Sequence, residues 1–197
     1  MEGVREAIAA LQDHGVKVKR ELIRYSFGDR EHCRKIFEAA FLECDKTVKE
    51  FKYLPEYENI LQWMIDTKGT GLCFMGDCGR GKSTILTSVI PMLFMMKFRK
   101  VFRPLQAFDI SPKKIEEIKR YWSVMIDDLG KEPMINDFGG KFEGFNSIVD
   151  NAESEMKPLF ISTNLTREEL ELRYGLTAID RINRLCRIVK FKGESLR

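Results

Sequence analysis

Gly76-Asp-Cys-Gly-Arg-Gly-Lys82-Ser83 fits the pattern Gly-x4-Gly-Lys-Ser/Thr, whose chemistry is the holding of phosphates. Glycines let backbone N–H groups curl round an anion, and the start of a following helix adds free donors and the positive end of its dipole. Lys82 then reaches the β- and γ-phosphates as a point charge, and the Ser83 hydroxyl turns to Mg²⁺. The candidate nucleotide-binding segment therefore runs through Gly76, Asp77, Cys78, Gly79, Arg80, Gly81, Lys82, Ser83 and Thr84. An apolar run, Gly71-Leu-Cys-Phe-Met75, precedes it, and a helical pattern from Lys82 to about Lys97 follows. That strand–loop–helix setting separates it from an ordinary glycine-rich turn.

A divalent cation beside a triphosphate needs a carboxylate, and Val124-Met-Ile-Asp127-Asp128 delivers two at the end of an apolar strand. Asp127 is the candidate metal ligand, with Ser83, and Asp128 the candidate to polarise the attacking water. An Asp side chain is one methylene shorter than Glu, so turnover is expected to be slow. Leu159-Phe-Ile-Ser-Thr-Asn164 ends a further strand in polar residues. Asn164 either orients water near the γ-phosphate, as strand ends in an open parallel sheet line one crevice, or caps the helix that begins Thr166-Arg-Glu-Glu. Asp137-Phe-Gly139 spells a kinase metal-binding tripeptide, but no His-Arg-Asp precedes it, and it reads as a turn before a helix over Phe142 to Met156.

The elements that must position these groups alternate, short apolar runs with helical stretches, which predicts an α/β fold with a parallel sheet flanked by helices. Val101 to Ala107 is a further strand candidate, at an edge or bulge because of Pro104, and Cys186 to Phe191 is the last. Residues 1–50 read as a helical N-terminal segment and possible partner-binding region. Val4, Ile8 and Leu11 keep helical spacing, as do Cys33, Phe37, Phe41 and Cys44. The aromatic, proline-broken connector Phe51-Lys-Tyr-Leu-Pro-Glu-Tyr57 places a boundary near residue 50, with the catalytic domain over 51–197.

With 197 residues, 44% hydrophobic and 32% charged, the chain can bury a core without disulfide or metal staples. No run reaches the roughly 18 apolar residues of a membrane span. The first residues, Met-Glu-Gly-Val-Arg-Glu, carry acid early and do not read as a secretory signal. Five scattered cysteines without a Cys-x-x-Cys pair predict reduced thiols in a cytoplasm, the host's if the chain belongs to a phage or mobile element. A net charge of +3 permits a polyanionic partner where basic residues cluster. Lys97, Arg99, Lys100 and Arg103 interleave with Phe98 and Phe102, a pattern that either stacks on single-stranded nucleic acid or buries the two rings in the core. Lys113, Lys114, Lys119 and Arg120 form another basic group.

Taken in order, Gly-x4-Gly-Lys-Ser, Ile-Asp-Asp-Leu-Gly, Ser-Thr-Asn-Leu, Tyr174-Gly with Ile179-Asp-Arg181, and Phe191-Lys-Gly-Glu-Ser-Leu-Arg197 resemble the DnaC-type replicative helicase loaders. These are AAA+ ATPases of the P-loop class, related to the initiator DnaA and the IstB transposition helpers. The resemblance covers about Phe51 to Arg197, and its closing Phe-x-Gly-x-Ser-x-Arg is the most family-specific part. It implies an ATPase that uses ATP and Mg²⁺ as a switch to place a hexameric helicase on single-stranded DNA. Asp127 and Asp128 become the Walker B pair and Asn164 sensor 1. Arg181 becomes the arginine finger given to a neighbouring copy, with Arg184 one turn away as the substitute, and Arg197 the sensor 2 arginine. Self-association would run through the ATP site. Arg173, Arg181, Arg184, Arg187, Lys190 and Lys192 read equally as a solvated basic face. The sequence stops at Arg197, so no helical lid or helix-turn-helix is expected after it. The alternative within the class is a transposition-helper ATPase that prefers duplex DNA. A small-molecule kinase on a P-loop fold lacks a matching arginine-lid segment between Asp128 and Asn164.

Overall fold

The computed structural model describes residues 2–16, 23–137, 140–142 and 144–193. Helices α1 (Glu2–Asp13), α2 (Arg30–Cys44) and α3 (Tyr57–Ile65) precede strand β1 (Gly71–Gly76). After the glycine-rich loop comes one helical rod made of α4 (Lys82–Thr84), a π turn (Ile85–Val89) and α5 (Ile90–Phe98). Pro91 stands in the first turn of α5. Its ring would press on the preceding turn and it offers no N–H, so the widened turn just before it accommodates both defects.

The strand expected over Val101–Ala107 shortens to β2 (Leu105–Gln106), because Arg99 bends the chain in a left-handed conformation and Pro104 removes a ladder donor. Then follow α6 (Pro112–Ile118), capped by the Ser111 side chain, and β3 (Val124–Leu129). A hairpin of β4 (Ile135–Asp137) and β5 (Gly140–Phe142) leads to α7 (Gly144–Ser154). Of the tripeptide read as a turn, Asp137 closes β4, while Phe138 and Gly139 lie outside the described residues. The chain continues through β6 (Leu159–Thr163), α8 (Arg167–Tyr174), α9 (Leu176–Leu185) and β7 (Cys186–Phe191). Thr166 and Glu169 form a capping box on α8, so Thr166, not Asn164, caps that helix.

Five strands make one parallel sheet in the order β2-β3-β6-β1-β7. Side chains alternate across its two faces, and each face has its own core. Phe74, Met125, Phe160, Val189 and Phe191 meet the rod, α2 and α3 on one face. Cys73, Ile126, Leu159 and Ile161 meet α6, α7 and α9 on the other. The first core is aromatic: Phe160 lies edge-on to Trp63 at 5.8 Å and to Phe102 at 5.1 Å between ring centres. Of the two readings of Phe98 and Phe102, core packing therefore holds, since Phe102 is buried and Phe98 packs at 4.8 Å from Tyr25.

The boundary near residue 50 does not coincide with a division of the core. Phe27, Cys33, Phe37 and Phe41 belong to the same cluster as Phe74 and Phe191, so α2 is an integral layer of the sheet domain. Helix α1, by contrast, buries none of its residues. Among the described residues no helix is long and apolar enough to cross a membrane.

Candidate nucleotide site

Strand β1 leaves the sheet at Gly76, where φ is +123° and an added Cβ would stand 1.9 Å from the Phe191 carbonyl oxygen. Only glycine fits there. The next residue, Asp77, donates its N–H to that carbonyl at 3.2 Å, so the phosphate loop starts in contact with the end of β7. Gly81, left-handed at φ +81°, turns the chain into α4.

Lys82 folds back inside the loop. Its Nζ donates to the carbonyls of Gly76 (2.7 Å) and Asp77 (2.6 Å) and to Asn164 Oδ1 (2.9 Å). The residue is buried, and burial lowers the ammonium's pKa against the opposing fields of Cys78, Asp128, Asp77 and Asp127. The ammonium is thus held by neutral oxygens, for which an anionic phosphate is a stronger replacement. Strand register explains Asn164: Thr163 of β6 pairs with Met75 of β1, so the next residue emerges beside the loop.

The acidic pair depends on a register shift. Ile126 pairs with Ile161 and Leu129 with Thr163, so two residues of β3, Asp127 and Asp128, face the single Ser162 of β6. Asp128 takes the left-handed conformation, φ +59°, which Asp tolerates better than most residues. Plain strand alternation would send neighbouring carboxylates to opposite faces; this β-bulge lets both serve the phosphate loop. Asp127 is buried, and its Oδ1 accepts hydrogen bonds from Ser83 Oγ (2.9 Å) and from the Ser162 hydroxyl. Gln106 Nε2 donates to its Oδ2 at 3.1 Å. Asp128 accepts from Lys131 Nζ at 2.7 Å, and its own N–H donates to Ser162 Oγ at 3.0 Å.

Two side chains of the loop act away from the phosphates. Arg80 is buried and donates from Nε (2.9 Å) and Nη2 (2.6 Å) to Glu56 Oε1. Breaking such a pair by removing one partner costs about 3–5 kcal/mol, so Glu56 anchors the loop to the chain ahead of α3. Asp77 Oδ2 accepts the Gly193 N–H at 3.2 Å. Gly193 itself has φ +114°, and a Cβ there would meet Arg80 Nη1 at 3.1 Å. The glycine of the closing Phe-x-Gly stretch is therefore a contact residue of the phosphate loop.

A cavity of about 200 Å³ lies over the loop, lined by Cys78, Gly79, Lys82, Ser83, Asp128, Lys131 and Asn164 among others. A second, of about 570 Å³, shares Gly79, Gly81 and Thr84 with it and is walled by Phe41, Val48, Phe51 and Tyr57. The first cavity is polar, while the second sets that aromatic wall beside the charged Asp45, Lys49, Glu50 and Lys52. Ser83 and Asp127 supply hard oxygen donors within hydrogen-bond distance of each other, the donor set that suits Mg²⁺.

No protein-family model and no curated protein matches the sequence. Solved structures match the fold. The DnaC helicase loader superposes with a TM-score of 0.57 at 17% identity, over 77% of this chain and 98% of that one. DnaI gives 0.57 at 18% identity, over 89% and 100%. A primosome component of Streptococcus pyogenes serotype M3 gives 0.52 at 20%, over 88% and 86%. The fold is that of the DnaC-type helicase loaders.

On this loader fold the remaining candidate arginines sit on α9. Arg181 is held by α7 carboxylates, Asp150 at 2.6 Å and Glu153 at 2.8 Å, with a quarter of its side chain exposed. Arg184 shares Glu153 at 2.7 Å, also pairs with Asp180, and is 62% exposed. Neither lines the phosphate cavity of its own chain. Arg197 lies outside the described residues. Tyr174 has a role within the chain: its hydroxyl donates to buried Glu132, while Arg173 donates to the carbonyls of Gly130 and Glu132. That contact fixes the segment following Asp128 to α8.

Sequence reasoning did not single out Ser162, Gln106, Lys131, Glu56 or the aromatic wall as site residues. Ser162 and Gln106 carried a usable signal, since both are polar residues at strand ends, which line the crevice of a parallel sheet. Glu56 and the wall are joined to the loop only by the tertiary fold.

Proposed function

We propose that the chain is an ATPase that loads a replicative hexameric helicase onto single-stranded DNA in the cytoplasm, with ATP as its switch. The convergence of Asn164, after β6, on Lys82 and of Asp127, in β3, on Ser83 is the observation that supports it. The base and sugar lie in the second cavity, against the wall that Phe41, Phe51 and Tyr57 form, and the phosphates take the place of the carbonyls around Lys82. Mg²⁺, when bound, draws charge from the β- and γ-phosphates. Ser83 and Asp127 would hold it, and Ser162 and Gln106 keep the Asp127 carboxylate in place. Asn164, which lines the cavity, orients water near the γ-phosphate. Asp128 takes the proton of the water that attacks the γ-phosphorus, and its short side chain makes that step slow.

Hydrolysis is completed between copies, with Arg181, or Arg184 in its place, neutralising charge on a neighbour's γ-phosphoryl group. The single strand runs along the basic residues around the end of α5. With Phe98 and Phe102 committed to the core, Lys97, Arg99 and Arg103 project outward, and Lys100 and Arg103 lie over Trp122 and Tyr121 at 5.4 and 4.9 Å. Lys113 and Lys114 on α6 extend the surface. Single-stranded DNA should therefore bind with an affinity that falls steeply with salt, the log–log slope counting phosphates engaged at about 0.7 each. Flat salt dependence, or a preference for duplex, contradicts this and favours a transposition helper. The partner is tested by capture: a replicative helicase should be retained on the immobilised chain with ATP and released on hydrolysis. Capture of a transposase and not a helicase contradicts the loader reading.

A further inference from the structure

Lys131 lies one residue beyond Gly130 on the segment that follows the acidic pair, and it is the second lysine lining the phosphate cavity. The two differ in what holds them. Lys82 is buried among neutral oxygens, whereas Lys131 is more than half exposed and its ammonium rests on the Asp128 carboxylate at 2.7 Å. The Asp128 contact raises the pKa of Lys131 further, so the group is a full cation at neutral pH.

The backbone beneath Lys131 is fixed while its side chain is solvated. Its N–H donates to the Asp128 carbonyl at 3.2 Å, the Gly130 N–H donates to Glu132 Oε2 at 2.8 Å, and buried Glu132 accepts the Tyr174 hydroxyl. A fixed base with a long, hydrated stem lets the ammonium move between acceptors inside one cavity without rearranging the segment. A terminal phosphate offers it more negative charge and more oxygens than one carboxylate. A nucleoside diphosphate leaves the carboxylate as the nearer acceptor.

We propose that Lys131 is a γ-phosphate sensor that distinguishes nucleoside triphosphates from diphosphates, resting on Asp128 with a diphosphate and on the γ-phosphate with a triphosphate. The transfer leaves the Asp128 carboxylate open to water only when there is a phosphoryl group to attack. The proposal rests on the reading that nucleotides bind at the phosphate loop.

Calorimetric titration of the full chain with ADP and with a non-hydrolysable ATP analogue, both with Mg²⁺, tests it. Lys131→Ala should weaken the triphosphate analogue roughly tenfold, the effect of one charge-assisted hydrogen bond, and leave ADP within about twofold. Lys131→Arg should restore most of the difference. An unchanged triphosphate-to-diphosphate ratio in Lys131→Ala, with ADP still bound as in the parent, overturns the sensor role alone. Equal loss of both nucleotides also overturns it, since the residue would then support the site as a whole. A parent chain that binds neither nucleotide overturns the phosphate-loop reading, and the sensor with it.

Discussion

Asp128→Asn should stop ATP hydrolysis while ATP stays bound. The substitution removes the proton acceptor and keeps the shape, and Asn adopts the left-handed conformation at φ +59° as readily as Asp, so the bulge survives. Asp127 keeps its hydrogen bonds from Ser83 and Ser162 and remains available for the metal role proposed for it. Loss of a positioned base lowers a rate by about 10²–10⁴. Phosphate release in a single turnover, set beside nucleotide affinity, separates chemistry from binding. A variant that hydrolyses at the parent rate would move the base to another residue.

The second large effect belongs to the arginines of α9. Arg181→Ala should bind ATP as the parent does, because Lys82, Ser83 and Asp127 of the same chain are untouched. Its hydrolysis should fall by about 10³–10⁵, the range measured for such arginines. Mixing Arg181→Ala with Lys82→Ala should restore part of the rate, since one kind of mixed interface joins a sound site to a sound arginine. In the single chain Arg181 is tied to Asp150 and Glu153, and Arg184 shares Glu153, so assembly has to exchange those carboxylates for a phosphate. Arg184, the more exposed of the two and paired with Glu153 and Asp180, is the natural second trial. If mixing restores nothing while the variants co-assemble, Arg181 does not act across the interface, and the same mixing is applied to Arg184→Ala.

What could be read from the sequence was what depends on local spacing. The phosphate loop and the strands over Gly71–Met75, Val124–Ile126, Leu159–Ser162 and Cys186–Phe191 were legible, because glycine turns and buried apolar runs are set by neighbouring residues. What was hidden depends on pairing at a distance. That β6 lies between β3 and β1 decides that Asn164 meets Lys82, yet no residue of β6 announces it. The bulge at Asp127–Asp128 exists only against Ser162. Arg80 looked like part of the phosphate grip, but its side chain turns to Glu56, twenty-four residues earlier. Helix α2 looked separable because a proline-broken connector follows it, whereas Phe37 and Phe41 complete the aromatic core and Phe41 also walls the cavity beside Gly79 and Gly81.

The most direct test of the account is ATP titration of the parent and of Lys82→Ala by calorimetry with Mg²⁺, with circular dichroism and a melting curve on both. The account predicts that the parent binds ATP and that Lys82→Ala does not, while the two chains show the same secondary structure. ATP binding of unchanged affinity in a folded Lys82→Ala chain would contradict it.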